Sequence, residues 1–281
     1  MNPAPVRSFA LVGPGRAGSS IALALVARGW RAVGVAGRSA DAPATRAAVA
    51  RLLCPPCDLP AVGRGAAVVV IATPDATIDA VASAITPGLE PGALVVHCSG
   101  AHGLDALARL VAVRPDVEIG ALHPLQTFAA PDPTRLAGAW AAVAGPPAVT
   151  ELALDLGLRP FVVPDDRRAA YHAAAVVASN HLVALLGQVA RIADAAGVPV
   201  DAFWPLVETT IANVEARGAA DALTGPVARG DLATVAAHLD AIDPAERGAY
   251  TGLALAALAL TGRDDPALRD LLAGARGEVP A

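Results

Sequence analysis

Over the first 125 residues, short apolar runs alternate with Ala-rich stretches of helical periodicity, and this alternation limits the fold more than any other feature. The runs are "SFALVG" (8–13), "AVGVAG" (32–37), "AAVVVIATP" (66–74), "ALVVHCSG" (93–100) and "VEIGALHP" (117–124). Each is apolar throughout rather than at every second residue, the pattern of a strand covered on both faces. Helical segments fall near 17–28, 43–53, 75–85 and 103–112. Strands that alternate with helices form a parallel sheet with right-handed crossovers. A third strand is expected around "CPPCDLP" but is poorly marked, so the runs at 66–74, 93–100 and 117–124 count as the fourth to sixth. Two later runs, 139–145 and 159–164, read as added edge strands joined by a helix near 147–156.

The pattern changes after Pro164. One long helix is expected from about 166 to 196, ending at Gly197, and a second over "DAFWPLVETTIANVEARG" despite Pro205. Shorter helices follow at about 231–241, 244–262 and 266–274, with Asp231, Asp243 and Asp265 as N-caps. The sequence thus specifies an α/β chain: a doubly wound sheet domain over 1–164, then an all-α domain over 165–281. Two domains also suit a length of 281 residues.

Composition narrows the function. Hydrophobic residues are 54% of the chain and aromatics 3%, so the core is Ala, Val and Leu in closely packed helices. The net charge of −5 argues against a nucleic-acid partner, which selects a basic surface. All 21 basic residues are Arg, so no Lys can serve as acid, base or Schiff-base former. Three Cys, two of them in a C-P-P-C sequence, cannot supply the four ligands of a structural zinc site, and no metal is expected. The apolar run at the N-terminus is too short for a signal peptide. No stretch reaches the ~20 uninterrupted apolar residues of a membrane span. The expected setting is cytoplasmic, with a small-molecule substrate.

The first strand runs into "LVGPGRAG". Gly13, Gly15 and Gly18 match G-x-G-x-x-G between a strand and a helix, the context that makes the motif a dinucleotide loop. Gly13 permits the turn, Gly15 lets the backbone approach a pyrophosphate, and Gly18 lets the helix pack on the strand. With Arg16 and Ala17 these residues open a helix whose N–H groups face phosphate. An NAD site wants an acid at the end of the second strand, and here "AGRSAD" places Arg38 and Ser39. Arg pairs bidentately with phosphate, which favours NADP(H). In the rival reading Asp41 binds the ribose and Arg38 faces solvent. Thr73, Pro74, Ser99 and Gly100 stand at later strand ends and would wall the same crevice. His97 and His102 are neighbours that read more readily as structural.

Taken with "HCSG", "HPLQTF", "YHAAAVVASN" and "LTGPVARGD", the glycine loop resembles a bacterial family that pairs a Rossmann-like domain with a helical domain of unknown function. The resemblance covers nearly the whole chain. More distantly the layout is similar to pyrroline-5-carboxylate reductase, 3-hydroxyacid dehydrogenases, prephenate dehydrogenase and ketopantoate reductase. It implies a nicotinamide-dependent oxidoreductase, dimeric through its helical domain, with ketopantoate reduction in pantothenate synthesis as a substrate lead. Hydroxyacid dehydrogenases and ketopantoate reductases use an interdomain Lys, in the former often as K-x-x-x-N. Here Asn180 takes the Asn place and Val176 stands where Lys would be.

Another group must then deliver the proton that carbonyl reduction requires. His172, the candidate acid, lies early on the long helix, with Ser179 two turns on along the same face and Asn180 rotated from it. These residues either line a cleft or form a packing surface. His123, stiffened by Pro124, and Gln126 can reach substrate or the nicotinamide carboxamide. Thr224 and Arg229, in a loop before a helix, serve either a substrate carboxylate or a dimer contact. The favoured reading is NADP(H)-dependent reduction of a 2-oxo acid. The alternatives are a cyclic imine reductase, whose protonated substrate needs no acid, and a nucleotide sensor without turnover.

Overall fold

The computed structural model describes residues 7–275 and contains a seven-stranded sheet of order β2-β1-β3-β4-β5-β6-β7. The strands are β1 (Ser8–Val12), β2 (Arg31–Ala36), β3 (Val68–Ile71), β4 (Leu94–His97), β5 (Glu118–Pro124), β6 (Trp140–Ala144) and β7 (Arg159–Val162). The first five are parallel, β6 runs antiparallel to β5, and β7 is parallel to β6. Alternate strand residues feed two cores, one on each face. Phe9, Leu11, Val68, Val70 and Val96 pack on one side, and Ala10, Val12, Val69, Ile71 and Val95 on the other. Burial on both faces is why these runs are apolar throughout.

Helices α1 (Arg16–Ala27) and α5 (Pro147–Asp155) cover the first face, while α3 (Ile78–Ile85) and α4 (Ala108–Val113) cover the second. Helix α2 (Pro43–Leu52) follows β2. The expected strand at "CPPCDLP" does not form. Pro56 makes one isolated bridge to Val35, and the prolines leave too few N–H donors for a ladder. The runs at 66–74, 93–100 and 117–124 are therefore the third to fifth strands. The chain passes from β2 back across β1 to β3, so the crevice opens where β1 and β3 diverge.

Contacts divide the chain into compact units of residues 1–179 and 180–281. Residues Asp165–Ala195 are helical throughout: α6 (Arg168–Val176), a π-helical turn at Val177–His181, then α7 (Leu182–Ala195). This 31-residue stretch is long and apolar enough to cross a membrane by length and composition, with a mean hydropathy of 1.5 over an 18-residue window of it. The averaging passes over the polar breaks at His172, Ser179, Asn180 and Gln188 that interrupt the apolar run.

The second unit continues with α8 (Trp204–Arg217), the one-turn helices α9 (Ala219–Ala222) and α10 (Pro226–Arg229), α11 (Leu232–Ala241), α12 (Pro244–Leu260) and α13 (Pro266–Gly274). Its core is Val227, Val235, Leu239, Ala254, Leu258, Leu268 and Leu272. Asp231, Asp243 and Asp265 each accept a backbone N–H at the start of α11, α12 and α13, as the sequence predicts. Gln188 and Arg191 of α7 tie that helix to Glu246 of α12.

Candidate active site

The glycine loop joins β1 to α1. Gly13 has φ +88°, and a side chain there would meet the Ala72 carbonyl oxygen at 2.6 Å. A side chain at Gly18 would strike the Gly13 carbonyl oxygen and the Ala72 Cβ. Both glycines are therefore required by the packing of the loop on β3. At Gly15 an added Cβ would meet nothing within 4 Å, so that glycine borders open space. The N-terminus of α1 has no side-chain cap and no acid in its first turn. Arg16 and Ala17 open the helix and are exposed. Beside the loop, the Thr73 hydroxyl is buried without a hydrogen-bond partner. Uncapped N–H donors, free space over Gly15 and an orphaned hydroxyl together fit a pyrophosphate-bearing cofactor.

Arg38 and Ser39 follow β2 and are exposed. Among the described residues Arg38 makes no ion pair, so its guanidinium stands available to a phosphate. Asp41 lines a separate open depression of about 740 Å³ with Arg46 and Pro56. Pro74 is exposed beside Thr73 at the end of β3.

The loop after β4 is held by a buried polar network. Ser99 Oγ donates to Asp75 Oδ2 at 2.8 Å and accepts the Ala101 and His102 N–H groups. His97 is fully buried, and its Nδ1 accepts the Ser99 N–H at 3.2 Å. Its proton is thereby placed on Nε2, which donates to the Gly103 carbonyl at 2.9 Å. With both ring nitrogens engaged, His97 is a structural residue. Burial lowers its pKa, and the Gly103 hydrogen bond offsets part of that effect.

His123 and Gln126, from β5 and the loop after it, share a cavity of about 440 Å³ with Tyr171, His172 and Ser179 of the long helix. Leu125, Thr127, Ala175 and Val176 supply apolar wall. Nδ1 of His123 lies 2.7 Å from Tyr171 Oη. The rings of His123 and His172 meet edge to face, with centroids 6.0 Å apart. Gly100 makes this possible, because a Cβ there would lie 2.8 Å from both imidazoles. Gln126 donates to the Arg135 carbonyl and accepts the Thr127 N–H. Ser179 Oγ donates to the Ala175 carbonyl one turn back.

The structure thus gathers four of the sequence candidates, His123, Gln126, His172 and Ser179, in one pocket of the first unit. Asn180 is exposed and begins the second unit. Thr224 and Arg229 also belong to the second unit, where Pro226 opens the one-turn helix α10 inside the expected loop. Tyr171 was not singled out by sequence reasoning, although it precedes His172 within the quoted "YHAAAVVASN". Burial and the neighbouring Cys57 push the Cys54 thiol up to about 11, so it stays protonated.

Burial, with the charges of His172 and Arg168, holds the His123 imidazole down at about 4. A group whose pKa is lower in the folded than in the unfolded chain takes up protons on unfolding. Its stabilisation is complete above the unfolded value near 6.5 and is lost as pH falls toward 4. Unfolding free energy of the sheet unit should therefore drop by about 2–3 kcal/mol between pH 7 and pH 4 from this group, by the linkage relation. His97 adds to the same slope. Urea melts of wild type and His123→Gln test this: the variant should show a shallower decline, and identical slopes would contradict it.

Residues 3–124 match a Rossmann-like domain, and residues 140–257 match a domain of unknown function, DUF2520. No curated protein matches the sequence. Among solved structures, a Bacteroides fragilis protein described as a candidate NADP oxidoreductase is 23% identical. The match covers 90% of this chain and 98% of that one, with a TM-score of 0.77. A Thermotoga maritima protein named without an activity is 24% identical over 96% of this chain and 98% of its own, with a TM-score of 0.61. Pyrroline-5-carboxylate reductase from Coxiella burnetii is 16% identical over 97% of this chain and 98% of its own, with a TM-score of 0.57. At these identities the likeness is one of fold. The chain joins a Rossmann-like domain to a DUF2520 domain, the pairing that its five motifs resemble.

Proposed function

We propose that the protein is an NADP(H)-dependent oxidoreductase that reduces a small carboxylate-bearing substrate, with a 2-oxo acid, ketopantoate-like, as the leading choice. One observation carries the reading: the pocket of His123, Tyr171 and His172 lies at the same sheet edge as the glycine loop. In the strand order, β1 and β5 are three neighbours apart, about 14 Å at the usual strand spacing. Gly13–Gly18 would hold the pyrophosphate of such a cofactor, and Ser99 and Gly100, at the end of the intervening β4, would wall its nicotinamide end. Arg38 and Ser39 would take the 2′-phosphate, which is why NADP(H) is preferred to NAD(H). When bound, the nicotinamide supplies or accepts a hydride.

The pocket's own residues do the rest. Leu125, Ala175 and Val176 exclude water from one side of the substrate. His172, Ser179 and Gln126 hold its oxygen atoms, and the pocket provides the proton a new alkoxide needs. In the second unit, Thr224 and Arg229 serve either a substrate carboxylate or a dimer contact, and Asn180 is a further candidate there. In this reading residues 1–164 bind cofactor and residues 165–281 serve substrate and assembly, in a cytoplasmic setting.

The proposed partner is a second copy of the chain. The resemblance gives that role to the helical domain. Helix α12 spends Thr251, Ala254 and Leu258 on its own unit's core. Helix α8 buries no residue, and Val183, Leu185, Trp204, Leu206, Ile211 and Val214 of α7 and α8 are exposed. So much uncovered apolar surface on adjacent elements in the sequence suits a homodimer. Light scattering at micromolar concentration should give twice the chain mass of 28.0 kDa. A monomer would contradict the assignment.

The activity is tested by an NADPH-oxidation screen over 2-oxo acids, cyclic imines and prephenate-like compounds. Turnover of a 2-oxo acid is expected, with His172→Ala lowering kcat/KM by about 10²–10⁴-fold, the range for a positioned group that meets the developing charge. Turnover of a cyclic imine alone would replace this reading with an imine reductase. NADPH binding without any turnover would replace it with a sensor.

A further inference from the structure

Arg168 is the largest fully buried side chain, with 1% of its surface exposed. It opens α6, so Tyr171 and His172 stand three and four residues on, along the same face. Its Nε donates to Asp165 Oδ1 at 3.2 Å, while Nη1 and Nη2 are buried with no hydrogen-bond partner. Asp165 is a weak counter-charge, because its carboxylate is 63% exposed and screened by water. A guanidinium cannot escape burial by losing its proton. A buried charge with two idle donors is costly.

The charge has specific neighbours. It acts on Tyr171 of its own helix, on His123 of β5 and on His97 of β4. The other titratable groups facing this cluster are Asp75 on the loop after β3, His102 on the loop after β4, and His172. The chain has no Lys to place a cation beside a reacting group. Asp75 is engaged by Ser99, so it does not neutralise the guanidinium directly.

We propose that Tyr171 is the catalytic proton donor and that Arg168 is its positioning cation, stabilising the phenolate left when the proton departs. This rests on the reductase reading above. A bound nicotinamide would supply hydride to the carbonyl carbon, and the C=O π pair would then move to oxygen. The Oη–H bond of Tyr171 breaks, its electron pair stays on the phenolate, and the proton forms the hydroxyl of the product. His123, 2.7 Å away at Nδ1, then returns a proton to Oη as its Nε2 takes one from solvent. Burial raises the Tyr171 pKa and the Arg168 charge opposes that rise, so the residue keeps its proton at neutral pH yet can release it to an alkoxide.

The chain has only two tyrosines, which allows a direct test. In a Tyr250→Phe background, phenolate ultraviolet absorbance reports Tyr171 alone, with or without substrate. Arg168→Met should move that titration up by about one pH unit or more, the usual scale for losing an adjacent opposite charge. Arg168→Lys should restore most of the shift. Asp165→Asn, which leaves Arg168 in place, should move the titration down and serves if Arg168→Met does not fold. An unmoved titration in these variants would overturn the cation role. With the substrate found in the screen, Tyr171→Phe should lower kcat by about 10²–10⁴-fold with NADPH affinity unchanged. The alkaline limb of kcat/KM should shift with the absorbance titration in Arg168→Met. Full kcat in Tyr171→Phe would overturn the donor role. If wild type turns over nothing, the donor role falls with the reductase reading, while the absorbance titration still decides whether Arg168 acts on Tyr171.

Discussion

The ligand edge of this protein depends on one backbone contact, the seating of the β1–α1 loop against the end of β3. A Cβ at Gly13 would strike the Ala72 carbonyl, and one at Gly18 would strike both the Gly13 carbonyl and the Ala72 Cβ. No side chain larger than hydrogen fits at either place. This contact brings α1 down onto the sheet with its first N–H groups uncapped and facing the crevice. It also buries the Thr73 hydroxyl beside the loop with no protein partner. A cofactor site follows from packing before any ligand is considered.

A second constraint acts at the other end of the crevice. The loop after β4 is fixed through Ser99, Asp75 and both nitrogens of His97. That fixed loop presents Gly100 flush against the rings of His123 and His172. The polar residues at this end of the crevice thus divide by their hydrogen bonds. His97 and Ser99 are consumed in holding the loop. His123, Tyr171 and His172 remain facing a cavity.

Much of this was legible in the sequence. Apolar runs mark all seven strands; they are clearest in β1, β3 and β4, which are buried at every residue, whereas β7 is partly exposed along its length. The three Asp caps were legible because capping is a local property. The strand expected at "CPPCDLP" was drawn from the usual layout of such sheets, and the prolines defeat it. Arg167 and Arg168 show what local pattern cannot resolve. Adjacent and chemically identical, they are 76% and 1% exposed. Which of the two turns inward depends on where α6 meets β4 and β5, a tertiary fact with no periodic trace at a helix start. Tyr171 was missed for a related reason: its hydroxyl gains meaning only from His123, 48 residues earlier in the chain.

In the proposed reading the glycine loop and Arg38 hold NADP(H). Fluorescence titration of the full chain with NADPH and NADH is the test. Saturable binding of both is expected, with NADPH the tighter. Arg38→Ala should cost about 1.5–3 kcal/mol toward NADPH, the scale of a charged hydrogen bond, and little toward NADH. Equal affinities for the two cofactors in the wild-type protein, or binding of neither, would contradict it.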